Sequence, residues 1–284
     1  MKLVQQYFPV CDYDLAATLT SGQAFRWRAE GEAWEGVIGN HWVRLHQESQ
    51  GISATAVGKV QEWTWLRDYL QLDLNFGKIL ESFPADDPAL QEAVRQCRGL
   101  RLLRQDPWEC LASFILSSTK QIVQIQQIVA LVCERFGDPL PVPPGHSPVY
   151  SFPSAERLAQ CSEQQIRDCK MGFRAPNLLK TAQMVARGEI DLPSLYTLPL
   201  ESAREALVQL PGVGRKIADC VLLFAYGFPK AFPIDVWILK ALRQLYFPKR
   251  KPTAKRLIHF SETHFGPHAG YAQQYLFHYM RTKL

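Results

Sequence analysis

The sequence predicts an α+β protein with an N-terminal antiparallel β-sheet domain that also contains helices, followed by a larger, all-helical domain. Apolar and polar residues alternate in four short stretches between residues 24 and 57, as they do in half-buried strands. From residue 61 onward the apolar residues recur at helical spacing instead. The 284 residues are 47% apolar, so the chain is long and apolar enough to bury the core of two domains.

The predicted strands form an antiparallel sheet because turn signals separate them. Gly39 and Asn40 are a two-residue hairpin signal between two of the strands. The strands cover residues 25–28, 34–38, 41–46 and 51–57.

Helical patterns occupy the rest of the chain. Asp86 or Asp87 is a candidate N-cap for a helix that begins with proline, and Pro107 begins a long apolar helix through residue 116. Residues 137–153 contain six prolines and predict a connection without regular structure. Further helical patterns cover residues 65–72, 76–83, 88–97, 154–161, 175–187 and 201–209. We place the domain boundary near residue 104, which gives an α+β domain at 1–104 and a helical domain at 105–284.

Composition narrows the class of protein. The formal charge of +5 and the pI near 8.8 suit a polyanionic partner, although the basic excess is mild. Seven irregularly spaced cysteines indicate reduced thiols, and their spacing offers no ligand set for zinc or an iron–sulfur cluster, so we predict neither a metal nor another cofactor. No apolar run approaches about 18 residues and the N-terminus lacks a signal peptide, which predicts a soluble, intracellular protein without membrane association.

The stretch at residues 210–220, LPGVGRKIADC, is the most informative of the chain. Pro211 and Gly212 predict a tight turn, and Gly214 marks the start of a helix in which apolar residues recur at helical spacing. Free backbone N–H groups at such a helix start can bind an anion, and a nucleic-acid phosphate fits this site.

Lys216 lies in the first turn of that helix, where the helix dipole disfavours a cation. This favours the free amine that a nucleophilic lysine needs, but a first-turn lysine by itself ordinarily pairs with phosphate or solvent. Asp235 begins the next predicted helix and is a candidate N-cap. If the two helices fold against each other, the Asp235 carboxylate also approaches the Lys216 amine, a pairing that suits attack on a sugar carbon.

These motifs together resemble a known family. Residues 210–216, LPGVGRK, followed by PID at 233–235, are similar to the helix-hairpin-helix, Gly/Pro-Asp superfamily of base-excision DNA glycosylases. The resemblance is closest to the 8-oxoguanine DNA glycosylases and extends over nearly the whole chain. It is carried further by residues 21–27 (SGQAFRW), 102–107 (LLRQDP), 172–175 (GFRA) and 269–277 (AGYAQQYLF).

The resemblance implies a cofactor-free, monomeric enzyme that acts on double-stranded DNA containing oxidised guanine. Lys216 would be the nucleophile that forms a Schiff base, Asp235 the catalytic carboxylate, and β-elimination would nick the strand. The implied base pocket consists of Gly22, Cys220, Gln273 and Phe277. The implied DNA contacts outside the pocket come from Thr119, Phe173, Arg174, Gly212 and Gly214.

Two positions depart from the family pattern. Thr119 and Gln124 stand where the eukaryotic-type members have an asparagine run and an arginine, and Trp237 replaces a histidine two residues after Asp235. Two alternatives to 8-oxoguanine excision stay open. One is a glycosylase for another damaged base, such as an alkylated purine, and the other is a non-catalytic helix-hairpin-helix protein that only grips DNA.

Overall fold

The computed structural model describes residues 2–117, 121–249 and 252–283. It begins with a five-stranded antiparallel sheet of order β1-β5-β4-β3-β2, and the rest of the chain is predominantly helical. The predicted α+β class is therefore confirmed. The strands are β1 (Leu3–Pro9), β2 (Arg28–Glu30), β3 (Ala33–Ile38), β4 (His41–Glu48) and β5 (Gly51–Val57).

The helices begin where local sequence signals predict them. Pro88 and Pro107 each open a helix, and the carboxylates of Asp87 and Asp106 accept the N-terminal hydrogen bonds. The α-helices are α1 (Leu15–Thr20), α2 (Thr64–Leu70), α3 (Phe76–Glu81), α4 (Pro88–Gln96), α5 (Pro107–Leu116), α6 (Ile122–Phe136), α7 (Ala155–Ala159), α8 (Glu163–Ile166), α9 (Ala175–Ala186), α10 (Leu200–Val208), α11 (Arg215–Val221), α12 (Val236–Ala241), α13 (Ala254–Thr263) and α14 (Ala269–Thr282).

The strand predicted at residues 25–28 is wrong. Only Arg28 from this stretch belongs to a strand, at the start of β2. Phe25 and Trp27 are buried in two different cores, whereas Arg26 between them donates a hydrogen bond to Glu109. Contacts on two sides of an irregular segment therefore produce the alternation that ordinarily marks a strand.

The edge strand β1 was not predicted from the sequence. It pairs with β5 from Leu3 opposite Val57 to Pro9 opposite Gly51. Phe8 is its one buried side chain, so β1 lacks the alternation that predicts a half-buried strand.

Two hydrophobic cores organise the molecule. The smaller one lies against the sheet and contains buried residues of β4, β5 and α2, such as Leu45, Ile52 and Leu66. The larger one fills the helical part and also receives Phe76 from α3 and Leu90 from α4. Helices that precede residue 104 thus pack into the core of the helical part. The domain boundary at residue 104 stays a prediction. Across the described ranges, no helix combines the length and the apolar character needed to cross a bilayer.

Candidate active site

The hairpin before α11 presents exposed backbone. Gly212 has φ +79°, and a Cβ atom there would lie 2.8 Å from Nδ2 of Asn177. Gly214 is the N-cap of α11 and has open space where a Cβ would stand. Both glycines are exposed, so a phosphate can approach the start of α11 closely.

Ion pairs hold α11 against its neighbours. Asp219 is buried in α11, and its Oδ1 accepts a hydrogen bond of 2.7 Å from Nε of Arg204 in α10. Arg215, one turn earlier, donates to Glu262 of α13 at 2.8 Å. The helix that carries Lys216 is therefore tied to two others on the side where Asp219 lies.

The Lys216 amine is half-buried and lies at the end of α5. Its Nζ donates a hydrogen bond of 3.3 Å to Oγ of Ser117, the C-cap of that helix. Nζ also lies 5.3 Å from the centre of the Phe114 ring. The first-turn position that the sequence singled out therefore directs its amine into the protein rather than into solvent.

Asp235 is the N-cap of α12, and its Oδ1 accepts a hydrogen bond of 2.8 Å from the Ile238 N–H. Burial raises the pKa of the Asp235 carboxyl above its usual 3.8, against the opposing effects of the Ile238 hydrogen bond and the Lys216 charge. The capping role is thus real, and it leaves the carboxylate close enough to Lys216 for their charges to interact.

Lys216 and Asp235 line one cavity of about 50 Å³ together with all four residues of the predicted base pocket. Ligand pockets typically enclose roughly 300–1,000 Å³, so a base can enter only if side chains of this cavity move. The lining residues are Gly22, Phe114, Lys216, Cys220, Phe224, Pro233, Asp235, Gln273, Gln274 and Phe277.

Gln273 is buried and lines the cavity with its amide side chain. It is 3% exposed, and its Oε1 has no hydrogen-bond partner within the described part of the chain. A buried amide oxygen without a partner costs roughly 1–3 kcal/mol. A ligand donor placed in the cavity would remove that cost. The neighbouring Gln274 is already committed, since its Nε2 donates to the Ser21 carbonyl at 2.9 Å.

The other pocket residues form the walls. Gly22 has φ +76°, and a Cβ there would lie 3.3 Å from Cε1 of Phe277. Burial raises the pKa of the Cys220 thiol to about 12, although the Lys216 charge opposes this, so Cys220 is an uncharged wall rather than a thiolate.

The residues predicted to contact DNA outside the pocket differ in accessibility. Phe173 is 67% exposed, whereas Arg174 beside it is 3% exposed and has its guanidinium 4.3 Å from the Phe173 ring. Contact between Arg174 and DNA therefore requires its side chain to move. Gln124 accepts a hydrogen bond of 3.1 Å from the Gln121 N–H. Thr119 lies outside the described residues.

Sequence reasoning missed several residues of the cavity. Phe114 and Phe224 lie in apolar helical segments, where the sequence does not distinguish a pocket wall from a core residue. Nothing in the sequence indicated that Ser117 contacts Lys216. Among the described residues, no cluster of His, Cys, Asp and Glu side chains is arranged to hold a metal ion.

Comparison with known proteins identifies the family of this chain. Residues 112–266 match the HhH-GPD superfamily of base excision DNA repair proteins, and residues 7–111 match the N-terminal domain of 8-oxoguanine DNA glycosylase. The chain belongs to the HhH-GPD superfamily. The resemblance inferred from the hairpin, Lys216 and Asp235 is confirmed at the level of the family.

Individual relatives match nearly the whole chain. The N-glycosylase/DNA lyase OGG1 of Arabidopsis thaliana is 32% identical over 96% of this chain and 80% of its own length. A structure of MBOgg1 in complex with a low affinity DNA ligand is 34% identical, with a TM-score of 0.92 over 100% of this chain and 99% of that one. Clostridium acetobutylicum 8-oxoguanine glycosylase/lyase, in complex with duplex DNA containing cytosine opposite 8-oxoguanine, is 29% identical, with a TM-score of 0.90 over 98% of each chain.

A second cavity of about 330 Å³ adjoins Lys216 on the side of α12 and α13. Its lining is mainly apolar, with Leu239, Leu257 and Ile258 among its residues, and it contains none of the four base-pocket residues. The larger cavity thus lacks the Asp235 carboxylate and the Gln273 amide, which line the smaller cavity together with Lys216.

Proposed function

We propose that this chain is a bifunctional DNA glycosylase and abasic-site lyase that removes 8-oxoguanine from double-stranded DNA. One observation carries the proposal. Lys216, Asp235 and Gln273, whose amide oxygen has no hydrogen-bond partner among the described residues, line the same cavity, so one bound nucleotide can meet all three. A glycosylase must take its target nucleotide out of the helix, and movement of side chains that line this cavity would let it receive the flipped base.

The reaction begins with attack of the uncharged Lys216 amine on C1′ of the flipped nucleotide. The bond between C1′ and the base breaks, and its electron pair leaves with the base, which takes up a proton. The Asp235 carboxylate stabilises the positive charge that develops on the sugar and accepts the amine proton. Burial raises the pKa of Asp235, and this makes the carboxylate a better base at neutral pH.

The covalent intermediate between Lys216 and the sugar then leads to cleavage of the DNA strand. Loss of the second amine proton and opening of the C1′–O4′ bond, with the proton passing to O4′, give a Schiff base between Lys216 and C1′. Removal of a C2′ proton expels the 3′ phosphate oxygen with the bonding electrons. The strand is thus cut on the 3′ side of the lesion.

Recognition of 8-oxoguanine requires a group that senses the proton on N7, because guanine has a lone pair there. We assign this role to the main-chain carbonyl of Gly22. Guanine would leave that carbonyl facing another acceptor, which costs roughly 1–3 kcal/mol. Gln273 bonds the Watson–Crick edge, while Phe277 and Cys220 cover the two faces of the base.

The remaining assignments concern the DNA outside the pocket. Phe173 is exposed enough to enter the base stack that the flipped nucleotide leaves, and Gly212 and Gly214 present backbone to the phosphates. Thr119 and Arg174 are assigned to the base opposite the lesion. We further propose that the enzyme acts inside the cell, where its DNA substrate is. We also propose that it acts as a monomer, because one chain supplies the residues that line the cavity. Sedimentation analysis with and without duplex DNA tests the monomer.

Borohydride trapping tests the proposal, because the reagent reduces a Schiff base to a stable bond between protein and DNA. With a duplex containing 8-oxoguanine, the unmutated chain should form a covalent adduct and Lys216→Gln should form none. Lys78→Gln, an exposed lysine of α3, serves as the matched control and should react normally. Absence of an adduct with the unmutated chain, or faster release of an alkylated purine than of 8-oxoguanine, would overturn the assignment.

A further inference from the structure

The contacts of the Lys216 amine point to an additional residue of the active site, Ser117. Its Oγ donates a hydrogen bond of 2.7 Å to the Phe114 carbonyl, one turn back in α5. The same oxygen accepts the bond of 3.3 Å from Lys216 Nζ. A hydroxyl has a single proton, so with that proton committed to Phe114 only lone pairs face the amine.

We propose that Ser117 is a positioning residue that aims the Lys216 amine at the reacting sugar carbon, an inference that rests on the proposed function. An uncharged amine has two N–H bonds and one lone pair. Ser117 accepts one N–H, which limits the directions that the lone pair of the amine can take. The lone pair is left for the ligand in the cavity that Lys216 lines.

Ser117 in this role sets the direction of the Lys216 lone pair and does not change how reactive the amine is. Because the hydroxyl only accepts, it does not take the lone pair that must attack C1′. A flipped nucleotide holds C1′ in one place, so an amine that rotates freely loses productive encounters. A small aldehyde in solution approaches from any side, so its reaction with the amine does not depend on the aim.

The test measures trapped adduct under single-turnover conditions with saturating enzyme, on duplexes containing either 8-oxoguanine or an abasic site. Ser117→Ala should form adduct roughly fivefold to tenfold more slowly, the effect of losing one hydrogen bond of ordinary strength. The enzyme concentration that gives half-maximal rate should not change. Ser117→Thr keeps the hydroxyl and should restore most of the rate.

Ser261→Ala is the matched control. Ser261 is buried and, like Ser117, donates a hydrogen bond of 2.7 Å to the carbonyl three residues earlier, here that of Ile258. It does not bond Lys216. Ser261→Ala should lower the unfolding free energy about as much as Ser117→Ala does, but it should form adduct at the unmutated rate. Labelling of Lys216 by formaldehyde and cyanoborohydride, followed by mass spectrometry, should be no slower in Ser117→Ala than in the unmutated chain.

The outcomes separate this proposal from the proposed function. Absence of any adduct with the unmutated chain overturns both. Normal adduct with the unmutated chain, combined with an unchanged rate for Ser117→Ala or with an equally slow Ser117→Thr, overturns the positioning role alone. Slower formaldehyde labelling of Ser117→Ala also overturns it, because Ser117 would then control the reactivity of the amine rather than its direction.

Discussion

Substitution of Gly22 by alanine should impair base excision far more than it impairs folding or the lyase step. Gly22 lines the cavity and has φ +76°, a conformation that side chains other than glycine's rarely adopt. The added Cβ would lie 2.8 Å from Cδ1 of Ile122 and 3.3 Å from Cε1 of Phe277. The ring that we assign to the base face, and the carbonyl that we assign to N7, would therefore both shift.

The two effects have different sizes. The left-handed conformation costs an alanine about 1–2 kcal/mol, which would lower the melting temperature of a chain of this size by a few degrees. Displacement of positioning groups by a fraction of an ångström to 1 Å costs up to roughly 100-fold in rate. We therefore expect 8-oxoguanine release to slow by about 10-fold to 100-fold.

Gly188→Ala provides the matched control, since Gly188 has φ +70° and nothing lies within 4 Å of where its Cβ would stand. Both variants should lose similar stability in thermal denaturation. Single-turnover release of 8-oxoguanine should fall only in Gly22→Ala, and cleavage of a preformed abasic duplex, which has no base to recognise, should fall in neither. Equal release rates for Gly22→Ala and Gly188→Ala would refute the reasoning.

Substitutions at three other positions test further contacts. Asp235→Asn preserves a capping side chain, so the melting temperature should hardly change while base release slows by roughly 100-fold. Asp235→Ala should slow base release similarly and also lose about 1 kcal/mol of unfolding free energy. Normal base release by the Asn variant would show that Asp235 only caps the helix. Phe173→Ala should slow excision from duplex DNA without affecting stability, whereas Leu74→Ala, an exposed apolar control, should alter neither. Excision rates of both variants on double-stranded and single-stranded DNA test this. Burial lowers the pKa of His146, but its hydrogen bond of 2.8 Å to Glu35 outweighs this and the pKa is raised above the usual 6.5. His146→Gln should therefore remove about 1 kcal/mol of unfolding free energy near pH 6 and little at a pH above the raised pKa, whereas a loss that does not vary with pH would contradict the pairing.

Local features of the fold could be predicted from the sequence because neighbouring residues determine them. The helix starts at Pro88 and Pro107 are examples, since an aspartate carboxylate bonds N–H groups only three residues away. Asp235 is another, because its capping bond to Ile238 is equally local. The sequence therefore predicted the helix starts that carry Lys216 and Asp235.

Burial was less predictable because it depends on what packs against a segment. The edge strand β1 lacked a pattern because only Phe8 faces a core. Phe25 and Trp27 mimicked a strand because two cores receive them. The structure buries Arg174 against Phe173, and nothing in the sequence around these two residues indicated this.

By itself, the sequence determined the fold class, the family, and the lysine and aspartate at the starts of two helices. The family resemblance implied a pocket of Gly22, Cys220, Gln273 and Phe277, but only the tertiary structure shows how Gly22 from the N-terminal region reaches α14, where the adjacent Gln274 bonds Ser21 across 253 residues of chain. It also decided that Ser117 faces the Lys216 amine. Hydrogen bonds within a helical turn leave a local signal in the sequence, whereas contacts between distant segments depend on how the helices pack, which no single segment encodes.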